Sequence, residues 1–130
     1  MPVIYAFDAE SVRIPEPNER IIRVLLAPDT QDIVHGMSVS HCVIAANGGR
    51  TDLHMHPGVE MMYIITGQGK ATIGDEEFEL KPDTLIIAPP RTLHDMRNES
   101  DETMKLVAMY IPAESAKQIL DRARAAARTS

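Results

Sequence analysis

His54, His56 and Glu60 fall within the seven-residue run His-Met-His-Pro-Gly-Val-Glu. An extended backbone sends alternate side chains to opposite faces, so His54 and His56 share a face while Met55 takes the other. Pro57 and Gly58 forbid helical continuation and let the chain turn, which brings Glu60 back beside the two imidazoles. Two imidazoles and a carboxylate on one face suit a divalent transition metal.

Short strands must hold these groups in place. Arg20 to Ala27 is aliphatic and β-branched, Gly36 to Ala45 alternates with period two, and Met61 to Thr66 follows the His/Glu run. Further strands are expected over Lys70 to Ile73, Glu77 to Leu80, Thr84 to Ala88, Leu93 to Arg97 and Met104 to Ile111, with turn residues between them. Val3 to Phe7 reads as a short opening strand, and the stretch through Pro15 and Pro17 as a surface loop. After Pro112, Ala116, Ile119, Leu120, Ala123 and Ala127 recur at helical spacing and predict one terminal helix over about 113–128. Closely spaced short strands with frequent turns indicate a sandwich or barrel, so the fold class is all-β with a C-terminal α-helix.

At 130 residues and 44% hydrophobic content the chain fits a single domain, 1–130, with a barrel core over about 20–111. A net charge of −6 argues against nucleic acid and against anionic membrane surfaces as partners. One cysteine, Cys42, excludes an intrachain disulfide and a thiolate cluster. Asp8 and Glu10 stand where a secretory signal needs a basic, then apolar, run, and no window has the length of a membrane span. The expected setting is the cytoplasm.

The spacing around the run extends further. Gly48 precedes His54 by five intervening residues, three separate His56 from Glu60, and six separate Glu60 from Gly67. This resembles the first motif of the cupin superfamily at each defining position. Asp83, Pro89, Arg91, His94 and Asn98 repeat the spacing of the second cupin motif, with both of its glycines replaced, by Asp83 and Arg91. The resemblance implies a small single-domain cupin of the cupin-2 type: a double-stranded β-helix, or jelly-roll barrel, enclosing one divalent metal on His54, His56, Glu60 and His94. Fe or Mn is favoured, with Ni, Co, Cu or Zn compatible with the same donors.

Four protein ligands on a six-coordinate ion leave two positions for substrate, or for substrate and dioxygen. One carboxylate on a divalent ion leaves a charge near +1, which favours an anionic ligand. On tetrahedral zinc the same four groups would instead close a structural site. Three further residues are candidates for chemistry. Arg91, near His94, could clamp a substrate carboxylate through its fork of donors. His41 shares a face with Val39 and Val43 and could act as acid, base or partner to a ligand. Tyr110 could direct a hydroxyl toward substrate. Met62 and Ile64 alternate with Glu60, and Leu106 and Ala108 with Tyr110, so these four are expected to line the pocket.

An apolar pocket with few acids and bases favours a metal-dependent dioxygenase on a small anionic or oxygenated substrate. An isomerase, decarboxylase or lyase is the alternative, with His41 or Tyr110 as its base. A non-catalytic small-molecule binding protein is the alternative of another class, and no helix-turn-helix accompanies the barrel to suggest a transcription factor. A homodimer is expected from the hydrophobic N-terminal strands and the terminal helix.

Overall fold

Side chains that alternate between core and surface build nine strands among the described residues, 3–129; the extreme termini of the 1–130 domain lie outside them. In this computed structural model the strands are β1 (Ser11–Ile14), β2 (Arg20–Leu26), β3 (Ser38–Ile44), β4 (Val59–Ile64), β5 (Gly69–Ile73), β6 (Glu76–Leu80), β7 (Thr84–Ala88), β8 (His94–Asn98) and β9 (Met104–Ile111). A six-stranded sheet runs β1-β2-β3-β9-β4-β7 and a three-stranded sheet runs β6-β5-β8, with every pairing antiparallel. The architecture is the all-β jelly roll that the motif resemblance implies, with one C-terminal helix, α1 (Ala116–Thr129).

Two expectations at the N-terminus are overturned. Val3 to Phe7 is not a strand: Ala6–Asp8 forms a 3-10 turn, and Phe7 lies exposed over the Arg23 guanidinium at 5.4 Å. The first strand is instead Ser11–Ile14, inside the stretch read as a loop, so the core begins before residue 20. Val12 and Ile14 bury while Ser11 and Arg13 face out, a two-residue alternation that neighbouring Pro15 and Pro17 obscured.

The inward face carries small or slender side chains, since the barrel is narrow. Ser38, Ser40, Cys42 and Ile44 of β3 face Met104, Leu106, Ala108 and Tyr110 of β9 across the ladder. Gly69 shows how tightly β5 and β8 approach: a Cβ there would fall 1.8 Å from the Arg97 carbonyl oxygen. At the opposite edge of the small sheet, β6 exposes Glu76, Glu77 and Glu79, charges that discourage edge-to-edge pairing.

Helix α1 lies against β1 and β2, burying Ala116, Ile119, Leu120 and Ala123. Ser115 and Gln118 form a reciprocal capping box: Ser115 Oγ accepts from the Gln118 N–H at 3.0 Å, and Gln118 Oε1 from the Ser115 N–H at 2.8 Å. Asp29, in the β2–β3 connection, caps the same helix from a distance. Its carboxylate accepts from the Ala116 N–H at 2.7 Å and the Lys117 N–H at 3.2 Å. The Ala116 amide is the chief reason the Asp29 carboxyl is held below its ordinary value, so its anchoring is complete above the usual carboxylate range and is lost as pH falls through the depressed folded-state pKa. Asp29→Ala is expected to cost about 1 kcal/mol at neutral pH. Thermal unfolding at neutral and strongly acidic pH checks this: the gap between wild type and variant should close at the acidic end.

Candidate metal centre

The ligating side chains come from two stretches that the backbone pairs directly. The His54 N–H donates to the His94 carbonyl at 3.1 Å and the His94 N–H to the His54 carbonyl at 2.8 Å, so the loop before β4 is stitched to the first residue of β8. Their rings consequently lie side by side, with centroids 4.4 Å apart. Gly58 lets the turn toward β4 pass close to β9, where a Cβ would meet the Ile111 carbonyl oxygen at 2.5 Å. Glu60 then points inward from β4, and His54, His56, Glu60 and His94 each present one ligand atom, all within 4.8 Å of one another.

The hydrogen bonds on the far side of each ring decide what these atoms can do. His54 Nδ1 lies 2.6 Å from the Asp52 carbonyl, His94 Nδ1 2.9 Å from the Thr92 carbonyl, and His56 Nδ1 3.1 Å from Glu114 Oε2. Those oxygens only accept, so each neutral imidazole carries its hydrogen on Nδ1 and turns the bare Nε2 inward. Glu60 Oε1 lies 2.9 Å from His56 Nε2 and 3.0 Å from His94 Nε2. A carboxylate oxygen this close to two ring nitrogens calls for positive charge between them, which an imidazolium proton or a bound cation supplies. His56 Nε2, buried and without a hydrogen-bond partner, is the atom that most directly fits a metal.

The electrostatics agree. Burial works against the charge of Glu60, yet the His56 and His94 imidazoles beside it hold its carboxyl down to about 2. Burial also opposes charge on His56, but its hydrogen bond to Glu114 and the adjacent Glu60 carboxylate raise it to about 9. His54 is lowered, chiefly by burial. These shifts belong to an anionic cage that draws positive charge into its centre.

His54 and Glu60 form part of the wall of a cavity of about 100 Å³. Leu106, Ala108 and Tyr110 line it as expected; Met62 and Ile64 do not, since they share the inward face of Glu60 but pack into the core below the cavity. Tyr110 is buried, its ring edge-on to His56 at 5.4 Å between centroids and its hydroxyl 3.5 Å from Ser40 Oγ. Burial is the main reason its phenol is pushed well above its ordinary value, so it stays protonated.

His41 and Arg91 are placed elsewhere. On β3 it is Ser40 and Cys42 that face the cavity, and His41 is half-buried on the opposite face of the sheet, its Nδ1 without a hydrogen-bond partner. Arg91 is exposed outside the cavity wall, at a turn with φ +55°. Its N–H donates to the His56 carbonyl at 2.8 Å, so its backbone, not its side chain, serves the site.

Sequence reasoning missed Glu114 and Arg122. Glu114 precedes α1 and reaches back to His56, while Ser38 Oγ donates to its backbone carbonyl. Arg122 is exposed on α1 but shares a face with Ile119, Ala123 and Ala126 and lines the cavity with them. A lone cation in register with that apolar stripe was the available signal.

A family model described as a cupin domain matches residues 40–110. The chain is 33% identical to an uncharacterized protein of Methanocaldococcus jannaschii over 71% of this chain and 73% of that one. It is 24% identical to L-ectoine synthase of Vibrio campbellii, over 84% and 82% of the two chains. The crystal structure of a predicted oxalate decarboxylase from Thermotoga maritima matches with a TM-score of 0.73 at 18% identity, covering 85% of this chain and 98% of that one; at such identity the likeness is one of fold.

Proposed function

The chain belongs to the cupin family, and from that premise we propose that it is a metal-dependent enzyme acting on a small oxygenated organic molecule by proton-transfer chemistry, as a lyase, decarboxylase or isomerase does. One observation carries this reading: His54, His56, Glu60 and His94 converge within 4.8 Å of one another, and His54 and Glu60 of that cluster line a cavity that the Tyr110 phenol also lines. A divalent ion held by His54, His56, Glu60 and His94 would supply Lewis acidity toward a ligand oxygen. A relative whose name is a synthase supports an enzymatic role.

The chain's own groups divide the remaining work. Tyr110 can donate a hydrogen bond from its hydroxyl, and Ser40 supports that oxygen from β3. Asp52 and Thr51 add polar groups to the cavity wall, while Leu106, Ala108 and Met96 keep part of it apolar and limit the water near a bound ligand. Glu114 keeps the His56 ring in the tautomer that leaves Nε2 inward.

The second reading is a dioxygenase, favoured by the same apolar wall of Leu106, Ala108 and Met96. Dioxygen separates the two. With iron- or manganese-loaded protein and a panel of small hydroxy acids, oxo acids and diketones, turnover is expected to persist under strict anaerobiosis with no oxygen uptake in air. Oxygen consumption stoichiometric with product, abolished anaerobically, would overturn the proton-transfer reading in favour of the oxygenase.

A further inference from the structure

Helix α1 is more than a cap on the barrel. Ile119, Arg122, Ala123 and Ala126 roof the cavity that His54 and Glu60 wall from the other side. We propose that Arg122 is the anion-binding group of this cavity and that the ligand is a short carboxylic acid, its carboxylate on Arg122 and a second oxygen function directed at the His54, His56, Glu60 and His94 cluster. This rests on the metal-site reading above and adds to it the chemical class of the ligand.

Two guanidiniums line the cavity, and Arg122 has more donors uncommitted than Arg20. Arg20 Nη1 is committed to the carbonyls of Asn18 and Arg50, at 3.1 and 3.0 Å, and its Nη2 lies 3.5 Å from Asp52 Oδ2. Arg122 gives Nη2 to Glu114 Oε1 at 2.8 Å, leaving most of its five N–H groups for a ligand. Its side chain is 41% exposed, so it stands at the rim where an incoming anion can meet it. Glu114 uses its other oxygen to accept from His56 Nδ1 at 3.1 Å, so one carboxylate fixes both the guanidinium and a ring of the metal cluster. That shared tether sets the separation of the two ends of the ligand.

Charge and size narrow the class. Glu114 balances Arg122, and Arg20 and Asp52 balance each other, so a divalent ion on three neutral imidazoles and Glu60 leaves the cavity with an excess of about one positive charge. A planar guanidinium recognises a carboxylate through two parallel N–H donors, which an alcohol or amide cannot match. A volume of about 100 Å³ admits only a compact molecule.

Calorimetric titration of the manganese-loaded protein with malonate, succinate and glutarate, each beside its diamide, tests this. At least one diacid should bind at millimolar concentration, and its diamide, which has no carboxylate, at least about 10-fold more weakly. Arg122→Gln should weaken the diacid by a similar factor and leave the diamide unchanged, with manganese affinity measured separately and preserved. Equal binding of acid and amide by the wild type, an Arg122→Gln protein that binds the diacid as tightly, or no diacid binding by manganese-loaded protein would each overturn the proposal. Failure of the protein to take up manganese at all would instead overturn the metal site on which it rests. The acid and amide comparison uses the wild-type protein alone, so it stands even if the variant folds poorly.

Discussion

Replacing His94 with alanine is expected to abolish stoichiometric metal uptake while leaving the barrel folded. The backbone pairing of residue 94 with residue 54 does not involve the side chain, so the stitch between the loop and β8 survives. What disappears is one of the inward nitrogens, 3.0 Å from Glu60 Oε1. Loss of a hydrogen-bond partner behind a metal ligand costs about 10- to 100-fold in affinity, so loss of the ligand itself should cost more than about 100-fold. The wild-type protein, purified without chelator, should carry close to one divalent ion per chain. Its unfolding midpoint should rise when metal is added, since a ligand at about 100 times its Kd stabilises the fold by about 2.7 kcal/mol. The variant should show neither the ion nor the rise. Elemental analysis together with thermal melts decides it: a His94→Ala protein with undiminished metal content and an undiminished thermal shift would remove the site.

That ligand set was legible in the sequence because its information is local. His54, His56 and Glu60 are placed by alternation and one turn, and the resemblance of the run through Pro89, His94 and Asn98 to the second cupin motif brought in the fourth ligand. The phase of β3 was harder to read. Period two is plain from residue 37 to 44, but both faces mix apolar residues, so alternation alone does not say which face is inward. Side-chain volume does: Ser38, Ser40 and Cys42 fit a narrow interior, whereas Val39, His41 and Val43 belong on the broader outer surface. The roof of the cavity depends on how α1 docks, a tertiary choice with no short-range spacing to announce it. Even so, Ser115-Ala-Lys-Gln118 was a readable capping box, and Arg122 interrupts the stripe of Ile119, Ala123 and Ala126. Arg91 takes a positive φ at the motif position where a glycine is replaced, and its side chain was given a role that its exposed position does not support.

Asn98 should be the most sensitive polar position in the barrel, and Asn98→Asp its most damaging near-isosteric change. Its side chain is fully buried, and Nδ2 faces the carbonyls of Ile44 at 3.2 Å, Ala45 at 3.1 Å and Glu102 at 2.8 Å. Oδ1 accepts from the Ser100 N–H at 3.0 Å and from Ser100 Oγ at 2.8 Å. Its backbone binds the same neighbourhood, receiving the Gly48 N–H and donating to the Gly49 carbonyl, each at 2.8 Å. Asn47 and Gly48 both take positive φ, so this turn has a costly shape that Asn98 helps to hold. An aspartate would aim a second carboxylate oxygen at three carbonyls in a fully buried site. The expected cost is about 3 kcal/mol or more, roughly 10 °C in the unfolding midpoint, and greater than that of Asn98→Ala, which leaves acceptors unpaired but adds no charge. The effect should reach the metal as well, because Asn98 and His94 lie on the same inward face of β8. If the turn at 47–49 loosens, β8 loses its anchor and His94 loses its fixed distance from Glu60. Melting midpoints of the two variants, paired with manganese titration of each at a temperature where both remain folded, separate the two consequences. Equal stability of Asn98→Asp and wild type at neutral pH would mean that the amide does not hold the turn.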